Sequence, residues 1–161
     1  MLLVDKDCKL TGFKFGHDIY SISNLALNKP TRQSSDFRPE SNSGNAVDGN
    51  TADRHSGALT TTTNNDDQAW WEVDLGQNYD INEIKIYNVT DEFKVRLKNL
   101  NIKVSKTKFN SNNDGAFFAK DVYPDPVGTY KGIAEGRYVR VYISRKDYLN
   151  LCEVQVFGTP K

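Results

Sequence analysis

Leu151-Cys-Glu-Val-Gln-Val-Phe-Gly158 decides the fold class of this chain. Its period of two puts Cys152, Val154 and Val156 on one face and a lone acid, Glu153, on the other, the alternation of a strand with a buried side. The same alternation recurs upstream. Trp71, Val73 and Leu75 alternate with Glu72 and Asp74, Ile84 and Ile86 with Lys85, and Ile102 and Val104 with Lys103; Val139, Val141 and Ile143 alternate with Arg140 and Tyr142. These runs are short, rich in Val, Ile, Tyr and Trp, and separated by Asn, Gly, Asp and Pro. With little helical periodicity present, they predict an all-β protein of two sheets packed face to face. Thr60-Thr-Thr-Thr-Asn-Asn65 is polar and reads as a loop.

A hundred residues before the last strand stands a tight turn, Asn45-Ala-Val-Asp48-Gly-Asn50. Gly49 gives the backbone a positive φ, which Asn50 also tolerates, and Asp48 supplies a carboxylate. Such a turn points several carbonyls and one carboxylate at a single spot, the donor set of a hard cation such as Ca²⁺. If the fold brings Glu153 to the turn, a calcium site closes between the first third of the chain and its last strand. The alternative is a solvated Asx turn with an unrelated strand, which composition alone favours.

With 161 residues the chain suits one domain, which buries roughly 70% of its unfolded surface. Lysine plus arginine and aspartate plus glutamate balance at 21 each. That balance argues against nucleic-acid binding, which draws on an excess of basic charge. No apolar run approaches the ~20 residues of a membrane-spanning helix. Met1-Leu-Leu-Val is followed by Asp5-Lys-Asp, too short for a signal peptide's apolar core. Residues 1–23 carry Leu10, Phe13, Phe15, Ile19 and Ile22, more apolar content than a flexible tail, and predict an ordered extension or the end of a preceding module. Two cysteines are too few for a disulfide scaffold. Cys152 is either a buried thiol or a partner of Cys8.

Five blocks together, Asn24-Leu-Ala-Leu-Asn-Lys-Pro-Thr31, Asn45 to Asn50, Trp70-Trp-Glu-Val-Asp-Leu-Gly76, Ile84-Lys-Ile-Tyr-Asn88 and Leu151 to Gly158, resemble F-type lectins. These are the fucolectin branch of the discoidin-like, coagulation-factor C-terminal domains. The resemblance runs from residue 24 to the C-terminal region, so 24–161 is the expected lectin domain. It implies a jelly-roll β-sandwich of about eight strands, with the ligand held by loops at one end. It also implies a structural Ca²⁺ bound by the backbone oxygens of Asn45, Asn50 and Cys152 and the carboxylates of Asp48 and Glu153. The family's sixth ligand, a serine, falls on Ala58, which keeps only a carbonyl. The family disulfide is missing, because its loop cysteine falls on Leu59.

The fucose-binding relatives use one histidine and two basic residues in the pattern Arg-x-Asp-x₄-Arg or Lys. The matching stretch here runs from Tyr87 to Leu97. Asp91 and Arg96 fall in place, Val89 occupies the first arginine position, and the histidine position falls on Thr61 or Thr62. His55, nearby in sequence, does not align. A lectin of about 0.1–1 mM affinity holds only about 4–5.5 kcal/mol in total, so two lost hydrogen-bonding side chains remove most of it. Fucose binding in the family manner is therefore not expected. The candidate ligand rim is Thr60 to Thr63, Asn64, Asn65, Asp66, Asp67, Asp91, Phe93, Lys94 and Arg96. Phe93 is a stacking wall, and Arg96, Lys94 and Asp91 grip hydroxyls, carboxylates or sulfates. The alternatives are an Arg96–Asp91 ion pair and a solvated Lys94. Trp70 and Trp71 read as core or as support for the calcium loop. Asn88-Val-Thr90 is an N-glycosylation sequon inside this motif.

The leading reading is a non-catalytic, calcium-stabilised carbohydrate-binding or adhesion module, extracellular or at the cell surface, whose specificity differs from fucose and whose partner is a glycan or glycoprotein. A discoidin-like protein-binding module with a vestigial pocket is the alternative. Rim loops of Thr, Asn and Asp disfavour membrane insertion. With two histidines and no nucleophile motif, the chain is not expected to be an enzyme.

Overall fold

A computed structural model of the chain describes residues 1–8, 10–15, 18–21, 23–52 and 59–161. The alternating runs form strands. In chain order these are β1 (Leu2–Val4), β2 (Leu10–Phe15), β3 (Asp18–Ser21), β4 (Thr31–Gln33), β5 (Thr61–Thr62), β6 (Asp66–Asp67), β7 (Trp70–Tyr87), β8 (Leu100–Ser105), β9 (Ala116–Val122), β10 (Val127–Ile143), β11 (Lys146–Asp147), β12 (Asn150–Leu151) and β13 (Glu153–Pro160). The architecture is an all-β sandwich of antiparallel strands.

Two long strands build both layers. The first half of β7 pairs with β4 on one side and with the second half of β10 on the other (Trp71 opposite Val141), and β8 and β9 extend that layer. The second half of β7 pairs with β13 (Ile84 opposite Val156) and with the first half of β10. The β7–β10 register shifts around Gly136, where a Cβ would strike Val104 and the Ser105 carbonyl of β8, so glycine lets β10 approach β8 closely there. Trp71, Val73, Ile81, Ile84, Ile102, Val141, Val154 and Val156 form one buried core between the layers. Each large side chain in it contributes about 1.5–3 kcal/mol of burial.

The face that alternation assigned to solvent is partly covered. Glu72, Arg140 and Lys103 are all buried. Glu72 accepts from Arg32 Nε at 2.8 Å and from Arg140 Nε at 3.1 Å. Arg140 lies over Trp70 at 4.0 Å and Phe109 at 4.8 Å and donates to Asn112 Oδ1, while Lys103 Nζ donates to the Asn112 carbonyl. The segment after β8 thus covers an ion-paired outer face, which strand periodicity cannot announce.

Residues 60–63 are buried and are not the loop the sequence suggested, whereas Asn64 and Asn65 are exposed and outside any strand. Thr61 and Thr62 form β5 against β12, and the Thr61 and Thr63 hydroxyls accept the Leu151 and Leu149 N–H groups at 3.2 and 3.0 Å. Threonine is β-branched and suits a strand, and its hydroxyl is satisfied by the neighbouring backbone. The N-terminal β1–β2–β3 sheet lies beside β13. At the start of the body, the Asn24 carboxamide oxygen accepts the N–H of Val156 at 3.1 Å. Cys8 is exposed, Cys152 is a buried thiol, and no disulfide joins them. Among the described residues no helix is long and apolar enough to cross a membrane.

Candidate functional site

The turn predicted from Asn45 to Asn50 and the strand that begins at Glu153 meet. Asn42 caps a 3₁₀ turn over Ser43–Val47, and Asn45 Nδ2 ties it to the Glu40 and Thr60 carbonyls at 2.7 and 3.1 Å. The buried Trp71 supports the turn from below, donating its indole N–H to the Ser43 carbonyl at 2.9 Å. Asp48 Oδ1 accepts the Asn50 N–H at 2.8 Å, and Gly49, at φ 82°, aims its own N–H at Glu153 Oε1, 3.1 Å away. Cys152 fixes the other side, donating its N–H to the Tyr87 carbonyl at 2.9 Å.

Glu153 is 0% exposed, and its Oε2 has no hydrogen-bond partner. Burial first, and then the charge of Asp48, pushes its carboxyl up to about 8, against partial relief from the Gly49 and Asp48 N–H groups. An acid placed so is costly unless protonated or given a countercharge. A hard cation would meet that need, with Asp48 and Glu153 as candidate carboxylates and the backbone carbonyls of Asn45, Asn50 and Cys152 as candidate further donors. Among the described residues no group of three or more His, Cys, Asp or Glu side chains is placed to hold a metal, so a site here depends on those carbonyls. Ala58 and His55 lie outside the described residues.

The ligand rim differs from the one drawn from sequence. Thr61 and Thr62 are 1% and 6% exposed and offer no ligand contact; Val89, at 5%, is packed inside. Asn88 is also buried, its Nδ2 donating to the Lys94 and Pro124 carbonyls at 2.9 Å each, so the sequon nitrogen is closed to glycosylation in this fold. Asp66 sits in β6 and accepts the Ser34 and Ser35 hydroxyls.

Asp91, Phe93, Lys94 and Arg96 do lie together on the 3₁₀ turn Glu92–Leu97. Asp91 caps it, accepting the Phe93 N–H at 3.0 Å. Lys94 Nζ binds both carboxylate oxygens of Asp125 at 3.2 and 3.1 Å, which raises its pKa, so it forms a solvent-exposed ion pair and is not a lone charge. The Arg96 guanidinium lies over Phe93 at 4.2 Å and over Tyr148 at 4.6 Å. It therefore stacks between rings instead of pairing with Asp91.

Three residues of this surface were not anticipated: Phe37, Arg38 and Tyr148. Phe37 packs edge-on against Tyr148 at 5.6 Å, and Arg38 lies over Phe37 at 5.2 Å. Phe37 is held by its N–H bond to the Thr62 carbonyl, and Tyr148 by its N–H bond to Asp147 Oδ1. The Phe-Arg pair was visible in the sequence, but nothing local to it signals a partner at 148. Asn150, opposite Thr62, is buried with both amide atoms unpartnered.

The sequence model of the NedA-like, galactose-binding domain family matches residues 45–141. Fucolectin-6 of Anguilla japonica is 30% identical over 145 residues, covering 86% of this chain and 77% of that protein. The pentraxin fusion protein of Xenopus laevis is 28% identical over 146 residues, 88% of this chain but 35% of that protein. The solved F-lectin (fucolectin) from Morone saxatilis (striped bass) serum superposes with a TM-score of 0.78 at 30% identity, covering 88% of this chain and 51% of that one. The chain thus spans about a third of the pentraxin fusion protein and about half of the striped bass chain. On this similarity and the sandwich described above, the chain belongs to the NedA-like, galactose-binding domain family, in its F-type lectin (fucolectin) branch.

Proposed function

We propose that this chain is a non-catalytic carbohydrate-binding module whose specificity differs from fucose and whose loops are fixed by a structural Ca²⁺. The observation that carries the reading is Arg96. It stands at the last basic position of the fucose-binding motif, it is aligned by Phe93 and Tyr148, and its guanidinium has no hydrogen bond or ion pair among the described residues, although its backbone carbonyl accepts Arg145 Nη2 at 2.7 Å. A guanidinium so held is a ready donor for adjacent sugar oxygens, with the rings as an apolar wall. The move away from fucose rests on Val89, Thr61 and Thr62, whose buried side chains replace the family's outward donors.

The cation has a positioning role. Asp48 and Glu153 would hold it at the junction of the turn and the last strand, stabilising the loop face by mass action. A glycan partner suits an extracellular or cell-surface protein. A glycan-array screen of the chain, with Ca²⁺ and with EDTA, tests the reading. Binding of at least one glycan class, weakened by Arg96→Ala and by EDTA, is the expected result. An array with no binding in Ca²⁺ would overturn it.

A further inference from the structure

Arg38, Phe37, Tyr148, Arg96 and Phe93 form one row in which each member touches the next, at separations of 5.2, 5.6, 4.6 and 4.2 Å. Its members come from three distant segments. Phe37 and Phe93 are each 43% exposed, so the row is open to solvent. We propose that this row binds an acidic saccharide, one bearing a carboxylate or a sulfate. The acid group lies against the edge of Arg96, an apolar sugar face lies on Phe37 and Tyr148, and a further acid group reaches Arg38. The inference rests on the glycan-binding reading above and names its ligand class.

Rings flank the Arg96 guanidinium, so only its in-plane N–H edges remain open, and these match a pair of oxygens on one planar or tetrahedral anion. Among the described residues no carboxylate pairs with this guanidinium. Asp125 is taken by Lys94, Asp147 by Arg145 at 3.2 Å, and Asp91 accepts the Phe93 N–H. Asp36, next to Phe37, accepts the Gln33 amide at 2.7 Å. The Arg38 guanidinium likewise has no hydrogen bond or ion pair among the described residues. The exposed Glu40 and Glu92 are screened by water and salt.

Two unpaired guanidiniums at either end of an aromatic pair favour an anion over a neutral diol. A charge-assisted hydrogen bond is roughly twice as strong as a neutral one. Stacking also fixes the fork before the ligand arrives, which lowers the ordering cost of binding.

The test is calorimetric titration of the intact chain in Ca²⁺ with matched glycans. Each neutral oligosaccharide is paired with its sulfated and its uronate- or sialate-bearing counterpart, and poly-glutamate serves as a non-saccharide polyanion. The acidic member of a pair should bind about tenfold or more tightly than the neutral one, and less so at high salt. The preferred counterpart identifies the acid as sulfate or carboxylate. Arg96→Gln should abolish the preference. Arg38→Gln, at the exposed end of the row, should reduce it severalfold even if the Arg96 variant folds poorly. Lys131→Gln, elsewhere on β10, should leave it unchanged. Equal affinity for neutral and acidic members overturns this inference and leaves the lectin reading standing. Poly-glutamate binding as tightly as the acidic glycans also overturns it. Failure of every glycan to bind overturns both.

Discussion

Glu153 Oε1 accepts the Gly49 N–H at 3.1 Å, joining residues 104 positions apart. The other carboxylate oxygen is buried without a partner beside Asp48. The strand and the turn are therefore locked together around a buried carboxyl that is costly to ionise, and pH, metal and mutation should all act through it.

In the metal-free protein, Glu153 should make stability fall as pH rises. Its folded pKa of about 8 lies above the ordinary value of 4.5. Between those values the folded state holds a proton that the unfolded chain has released, so the slope of stability with pH is negative. Asp74 acts oppositely, because the Arg137 hydrogen bond holds its pKa below 3.8, but that effect is complete by mildly acidic pH. Urea denaturation in EGTA should thus give lower stability at pH 8 than at pH 5.5, with the difference removed by Glu153→Gln. A difference unchanged in that variant would contradict the assignment.

Asn150→Val should be neutral or stabilise the fold by up to about 1 kcal/mol. Both amide atoms of Asn150 are buried without partners, a cost of about 1–3 kcal/mol that the apolar residue avoids. Valine also suits a strand. A loss of more than about 1 kcal/mol in urea denaturation would mean that the amide is held by a partner such as an ordered water.

Glu72→Gln should cost about 3–5 kcal/mol, because it leaves the buried Arg140 guanidinium without its counterion. Replacing Lys131, whose contact to Glu83 is long at 3.8 Å and largely exposed, should change stability by less than about 0.5 kcal/mol. Chemical denaturation compares the two, and similar small losses in both would show that the network under Phe109 is slack.

L-Fucose should bind more weakly than about 1 mM. Rebuilding the motif by Val89→Arg should lower the melting temperature without restoring affinity, since Val89 is packed inside and not poised at the rim. A micromolar calorimetric isotherm for the unaltered chain would contradict this.

Particular residues show what was legible in the sequence. The β strands around Trp71, Ile84, Ile102 and Val141 follow from period-two alternation, and the Asp48 turn and the Glu153 strand are each legible as short motifs that the fold then brings together. The threonines at 60–63 were misread, because a hydroxyl looks polar in sequence although the neighbouring Leu149 and Leu151 N–H groups satisfy it in a buried strand. Glu72 and Arg140 were assigned to solvent, because alternation says which side chains share a face and not what covers that face. The Phe37–Tyr148–Arg96 row was invisible, since it forms only where three distant loops converge.

The most direct test of the account is thermal unfolding of the unaltered chain and of Asp48→Ala, each in Ca²⁺ and in EGTA. A cation held by Asp48 and Glu153 predicts that EGTA lowers the melting temperature of the unaltered chain, that added Ca²⁺ restores it, and that Asp48→Ala melts at the same lower temperature in both. Identical melting of the unaltered chain in Ca²⁺ and EGTA would contradict the calcium-fixed loop face.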